Sequence, residues 1–228
     1  MEFKNVAISY NERTILKDIS FKIEPWEFVF LIGSSGSGKT SLIRSIIWLV
    51  WVRNGTIFDD IWRDISHLKP KELLNYRRNI WVIFQDFKLL PRKTVKENVS
   101  FALEVSGYSR SEIQKKLHTV LTEVWLLAKR DKFIETLSGW EIQRVCIARA
   151  LIHSPSIIIW DEPTGNLDRK NANDVMDMLL KLNAEWKTII MATHDEYIVN
   201  SMEKRVITFH DGKIIKDEKK WTYSLPTL

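Results

Sequence analysis

The sequence predicts an α/β fold whose mostly parallel sheet is covered by helices on both faces, and three observations carry that prediction. Short apolar strands alternate with helical patterns along most of the chain. A glycine-rich stretch, Gly33-Ser34-Ser35-Gly36-Ser37-Gly38-Lys39-Thr40, lies between the apolar run Phe28 to Ile32 and a helical stretch from Ser41 to Ile47. A second apolar run, Ile157-Ile158-Ile159-Trp160, ends in two carboxylates, Asp161 and Glu162.

Taken in order, Phe3 to Tyr10 and Ile15 to Ile23 read as short strands, the second by the alternation of Ile19, Phe21 and Ile23. Gly55 to Phe58 and Ile80 to Phe84 are further strands, with a charged helix over Lys71 to Arg78 between them. Beyond Thr94 the pattern turns helical: Ile113, Leu117, Val120, Leu121, Val124 and Leu127 form an apolar stripe at helical spacing. Residues from about 88 to 136 therefore read as a helical insertion. A helix from Gly139 to His153 extends it to a helical subdomain over about 88–153. Strand Ser156 to Asp161 follows, then a helix with Val175, Met178, Leu179 and Leu182 on one face. Strand Thr188 to Ala192, a short helix after Asp195, and strands Arg205 to Phe209 and Lys213 to Ile215 complete the chain.

At 228 residues the chain is long enough for one large domain with a sizeable core. Its single cysteine, Cys146, excludes an internal disulfide, suits a reducing cytosol and, between Val145 and Ile147, predicts a buried, inert thiol. The start Met-Glu-Phe-Lys carries no signal-peptide pattern, and no apolar run approaches the roughly 18 residues of a membrane span. A soluble protein is expected. The net charge of +5 fits solubility, nucleic acid or an anionic membrane face equally well, and alone selects none.

The glycine-rich stretch satisfies the phosphate-loop pattern G-x-x-x-x-G-K-[ST], in the strand–loop–helix context that the pattern requires. Its glycines, Gly33, Gly36 and Gly38, with Ser34, Ser35 and Ser37, let backbone N–H groups curl around phosphates. The helix N-terminus adds positive potential. Lys39 reaches the β- and γ-phosphates, and the Thr40 hydroxyl is placed for Mg²⁺, with Ser41 a competing hydroxyl. Carboxyl ends of parallel strands gather at one crevice, so Asp161 is expected beside the loop to hold Mg²⁺ and Glu162 to polarise an attacking water.

Leu137-Ser138-Gly139-Trp140-Glu141-Ile142-Gln143-Arg144 contains an S-x-x-E capping box, so a helix begins at Ser138 with its N-terminus open to an anion. Together with the phosphate loop and the paired carboxylates, this segment resembles the LSGGQ signature of the ATP-binding cassette (ABC) family, over essentially the whole chain. The resemblance implies an ABC-type P-loop NTPase in which the parallel sheet is joined by an antiparallel β subdomain and the helical subdomain. It also implies ATP and Mg²⁺ as ligands, and a head-to-tail homodimer in which Ser138 and Gly139 contact the γ-phosphate held by the other copy. Tyr10 resembles the aromatic that stacks on adenine, Gln85 the glutamine that reads metal and water, and His194 the histidine that contacts the γ-phosphate. Gly165-Asn166-Leu167-Asp168 resembles the D-loop.

Within the family, the stretches Phe84 to Pro91, Glu97 to Val105 and Ile198 to Met202 resemble the FtsE cell-division branch. That branch implies a polytopic membrane partner, FtsX-like, a peripheral place on the cytoplasmic face of the membrane, and a signal that activates peptidoglycan hydrolases. ATPases of lipoprotein-release and macrolide-export transporters share Asp161 to Asp168 and are the nearest alternative. Cassette proteins acting on nucleic acid or ribosomes commonly carry two cassettes or a long coiled coil. Neither is present, and no nucleic-acid partner is expected.

The tryptophans depart from this pattern. At a usage of about 7% the chain would hold roughly 16 glycines; it holds 8, with 10 tryptophans. Trp26 follows Pro25 where a type II turn needs positive φ, and Trp186 stands where a helix ending near Glu185 needs a left-handed residue. Trp140 occupies the second glycine of the signature. Trp48, Trp51, Trp62, Trp81, Trp125, Trp160 and Trp221 likewise fall at or near places where the family has glycine or another small residue. Translating UGA as tryptophan in a gene whose host reads it as glycine would produce this pattern. A genuinely tryptophan-rich, non-hydrolysing regulatory cassette is the alternative.

Overall fold

The computed structural model describes residues 1–84, 87–163 and 168–219. Strand β1 (Glu2–Tyr10) pairs antiparallel with β2 (Arg13–Lys22) and with β4 (Val52–Phe58), forming a three-stranded sheet in the order β2-β1-β4. The second sheet takes β3 (Phe28–Gly33), β5 (Ile80–Ile83), β6 (Ile157–Asp161), β7 (Thr188–Ala192), β8 (Arg205–His210) and β9 (Lys213–Glu218), in the order β5-β6-β7-β3-β8-β9. Its first five strands in that order run parallel, and β9 returns antiparallel beside β8.

Every residue of β3, β6 and β7 is buried, as expected of parallel strands covered on both faces. Alternation then sorts their side chains into two cores. Phe28, Phe30, Ile32, Ile158, Trp160, Ile189 and Met191 join the helical side, whereas Val29, Leu31, Ile157, Ile159, Ile190 and Ala192 join the antiparallel sheet and helix α1 (Lys39–Ile46).

The remaining helices are α2 (Pro70–Asn79), α3 (Val95–Val105), α4 (Arg110–Glu123), α5 (Gly139–Leu151), α6 (Arg169–Ala184) and α7 (Glu196–Met202). Helices α3, α4 and α5 pack on one another in the region read as a helical subdomain. Each opens with a reciprocal capping box: Thr94 with Glu97, Ser109 with Glu112, and Ser138 with Glu141. The apolar stripe outruns its helix. Helix α4 stops at Glu123, so Val124 and Leu127 belong to its cap and to the 3₁₀ turn beyond; burial of Val124 and Leu126 preserves the apolar period where the helical backbone has ended.

Cys146, on α5, is fully buried, and burial pushes its thiol up to about 12. Since the thiolate is the reactive form, iodoacetamide at pH 8 is expected to leave Cys146 unmodified in the folded protein and to alkylate it in denaturant. Mass spectrometry of the two samples checks this, and alkylation of the native fold would contradict a sealed α5 packing.

Candidate functional site

The loop from Gly33 to Gly38 joins β3 to α1, and its geometry depends on glycine at both ends. Gly33 has φ 146°, and a Cβ there would stand 2.2 Å from the Phe209 carbonyl oxygen of β8. Gly38, the left-handed N-cap of α1, has φ 107° and would place a Cβ 2.3 Å from Leu16 Cδ2 of β2. Both sheets therefore press on the loop, which only glycine accommodates.

Lys39 is buried, and its ammonium donates to the carbonyls of Gly33 at 2.8 Å and Ser34 at 3.2 Å. Burial lowers its pKa, against the opposing pull of Glu162 and Asp161. A buried cation whose hydrogen bonds, among the described residues, go to two carbonyls favours an anion brought to the loop. Thr40 Oγ1 donates to Asp161 Oδ1 at 3.4 Å. Burial raises the Asp161 carboxyl above the ordinary carboxylate range, and the Thr40 hydroxyl works against that rise. A hydroxyl and a carboxylate at the loop's edge are hard oxygen donors of the kind Mg²⁺ takes alongside substrate phosphates and water. The residues present fit that ion.

Glu162 lies just past β6 at φ 57°, its N–H donating to the Ala192 carbonyl of β7 at 2.9 Å. That turn sends its side chain to His194, whose Nδ1 lies 2.9 Å from Glu162 Oε2. A cleft of about 700 Å³ is lined by Gly33 through Ser41, Glu162, His194, and Arg13 and Ile15 of β2. All the phosphate-loop residues expected from the sequence are thus brought together with two of the three expected catalytic side chains.

Other expected residues lie elsewhere. Tyr10 does not line this cleft; it lines an adjoining cavity of about 730 Å³ with Thr40, Arg44 and Asp161, so Thr40 is common to both. Ser138 caps α5 by accepting from the Glu141 N–H, and neither it nor Gly139 lines the cleft of its own chain. Asp168 caps α6, its carboxylate accepting from the Asn171 N–H at 2.9 Å and side-chain amide at 2.7 Å. Gln85, Gly165, Asn166 and Leu167 lie outside the described residues. Sequence reasoning missed Arg13 and Ile15, which carry no local motif and enter the cleft only because β2 packs over the loop.

The segment after Gln85 is held from α5. Phe87 and Lys88 both have positive φ, 58° and 48°, and the Arg149 guanidinium donates to their carbonyls at 2.5 and 2.6 Å. Phe87 and Leu89 pack against the helical-side core, as an exclusively partner-facing loop would not, while Leu90 is pinned by reciprocal bonds with Asn98.

A parallel sheet with a phosphate loop on one strand, a carboxylate pair on another and a signature helix kept out of its own cleft defines a nucleotide-hydrolysing cassette. The ABC transporter family model matches residues 16–165, and the chain belongs to that family, whose chemistry is ATP hydrolysis. It is similar to the cell division ATP-binding protein FtsE of Bacillus subtilis, 45% identical over 224 residues, covering 98% of each chain. The protein of the same name from Streptococcus pneumoniae serotype 2 is 40% identical, covering 98% of this chain and 97% of that one. The solved dimeric structure of MJ0796, a bacterial ABC transporter cassette, superposes with a TM-score of 0.86 at 35% identity, covering 97% of this chain and 99% of that one. Among the described residues no helix is long and apolar enough to cross a membrane.

Proposed function

We propose that this chain, as one cassette domain over residues 1–228, is the ATP-hydrolysing subunit of an FtsE–FtsX-like complex acting in cell division, lying on the cytoplasmic face of the membrane. The observation that carries the chemistry is the convergence of Lys39, Glu162 and His194 on one cleft. The cell-division reading rests on relatives named FtsE that match over nearly their whole length. The macrolide-export relative of Campylobacter jejuni is 42% identical, but the match covers only 34% of that protein.

In the proposed mechanism the loop amides and Lys39 bind the β- and γ-phosphates, and Thr40 and Asp161, with Gln85, hold Mg²⁺, which neutralises phosphate charge when bound. Glu162 accepts hydrogen bonding from the attacking water and draws off its proton as the water oxygen bonds to the γ-phosphorus and the bond to ADP breaks. His194, 2.9 Å from Glu162, orients that carboxylate and reaches the γ-phosphate. Tyr10 stacks on adenine from the adjoining cavity. Ser138 and Gly139 supply the opposite wall from a second copy, with Asp168 in the loop between the two, so ATP binding closes a dimer and hydrolysis opens it. That motion passes to the membrane subunit as a conformational signal that activates peptidoglycan hydrolases.

The segment from Phe87 to Leu90 is the proposed contact for the membrane subunit. Because Phe87 and Leu89 contribute to the core, the discriminating variant is Leu90→Asp. Pull-down from detergent extract with the unchanged chain is expected to recover a polytopic membrane protein, and Leu90→Asp to lose it while nucleotide binding persists. Undiminished recovery by the variant would rule out this contact, and a lipoprotein-release or macrolide-type permease in the pull-down would replace the cell-division reading.

A further inference from the structure

We propose that the tryptophan positions of this chain are glycine positions in the working protein, specified by UGA codons that the cell of origin reads as glycine. The backbone is what points there. Of the nine described tryptophans, five have positive φ: Trp26 at 65°, Trp48 at 60°, Trp62 at 62°, Trp125 at 54° and Trp186 at 65°. Only a few per cent of non-glycine residues adopt this region, and bulky ones are outliers there.

Three of the five occupy one motif. Helices α1, α4 and α6 each end in the paired bonds of a Schellman cap. At α1, the Trp48 N–H donates to Ser45 O at 3.2 Å and the Leu49 N–H to Arg44 O at 2.9 Å. At α4, Trp125 donates to Thr122 O at 3.0 Å and Leu126 to Leu121 O at 2.8 Å; at α6, Trp186 donates to Asn183 O at 3.1 Å and Lys187 to Leu182 O at 3.3 Å. Helix α3 ends in the same way, with the Gly107 N–H donating to Glu104 O at 3.0 Å and that of Tyr108 to Leu103 O at 3.2 Å. Its left-handed residue is glycine, at φ 79°. Among the described residues this paired-bond cap thus occurs four times, once with glycine and three times with tryptophan. Trp26 completes a turn in which the Glu27 N–H donates to Glu24 O at 3.3 Å, and Trp62 one in which its own N–H donates to Asp59 O at 3.3 Å. Both are positions where glycine is favoured.

The side chains return mainly surface contacts for this strain: Trp62 faces Lys4 and Lys22, Trp125 faces Arg144 and Lys181, and of the five Trp48 alone packs against a core, its indole N–H donating to the Ile65 carbonyl. The five, with Trp51, are 55–74% exposed except for the half-buried Trp48. Trp160, fully buried in β6, leaves its indole N–H without a hydrogen-bond partner, against the ordinary habit of buried tryptophan. Trp140 lies in the first turn of α5, with the Arg144 guanidinium 4.4 Å from its ring centre. A set of aromatic docking patches is the competing explanation, since Trp26 meets Trp186 at 4.8 Å and Trp48 meets Trp51 at 5.0 Å. Docking, however, asks for an aromatic ring and asks nothing of φ. A single reassigned codon accounts for caps, turns, strand and signature together.

The gene and the native protein decide the matter. All ten codons are expected to be UGA, and the tryptic peptide Phe133 to Arg144 from native cells is expected to carry glycine at position 140 by mass spectrometry. One UGG codon among the ten, or tryptophan in that peptide, overturns the proposal. Stability supplies an independent reading. Replacing Trp26, Trp48, Trp62, Trp125 and Trp186 together by glycine is expected to raise the melting temperature above that of the matching alanine set by about 2–4 °C per site. An alanine set as stable as the glycine set overturns it as well, because the backbone would then show no preference for glycine.

Discussion

Glu162→Gln, introduced into the chain carrying glycine at the ten tryptophan positions, is expected to lower steady-state ATP hydrolysis by about 10²–10⁴-fold while ATP binding persists. Gln keeps the size and one hydrogen-bonding oxygen of Glu, so the contact with His194, 2.9 Å away, loses its charge and not its place. What disappears is the group that takes a proton from the attacking water. Glu162 forms no part of the loop that cradles the phosphates, so the variant is expected to accumulate with ATP as a dimer. Phosphate release measures the first effect and light scattering with saturating ATP the second. Turnover within a few-fold of the parent would remove Glu162 from the chemistry, and a monomer under those conditions, with membrane partner present, would remove the shared site.

Lys39→Ala is expected to act one step earlier, on binding. The Lys39 ammonium is buried and, among the described residues, donates to the carbonyls of Gly33 and Ser34, which leaves its positive charge available to an incoming phosphate. A hydrogen bond to a charged partner contributes about 1.5–3 kcal/mol, which corresponds to a loss of ATP affinity of roughly 10–100-fold. AMP, which lacks the phosphates Lys39 serves, is expected to bind both proteins equally. Titration calorimetry with ATP and AMP checks the pair. An equal loss for both nucleotides would show that the loop had collapsed when its two carbonyl bonds were removed, and no loss for either would place the phosphates elsewhere.

The phosphate loop, the carboxylate pair and the capped signature helix are legible in the amino-acid sequence because each is a local pattern. Backbone N–H groups surround a phosphate only when glycines fall at fixed intervals between strand and helix, and a capping box is complete within four residues. The apolar runs of β3, β6 and β7 are legible for a related reason: parallel strands buried on both faces leave no polar alternation to misread. The end of α4 is less so. Its apolar period continues through Val124 to Leu127 although the backbone turns left-handed at Trp125, and periodicity reports burial, not hydrogen bonding.

From sequence alone came the family, the nucleotide it takes, the order of the elements and the conflict between tryptophan and backbone at positions 26 and 186. Tertiary structure decided which side chains share a wall. It brought Arg13 and Ile15 from the antiparallel sheet into the cleft, moved Tyr10 to the adjoining cavity, joined Glu162 to His194 across two strands, and kept Ser138 and Gly139 out of their own site. It also showed that α1 and α4 close with the same left-handed cap as α6. The division is physical: loops, caps and periodicity are set by residues a few positions apart, whereas the lining of a cleft depends on how strands distant in sequence are registered and packed.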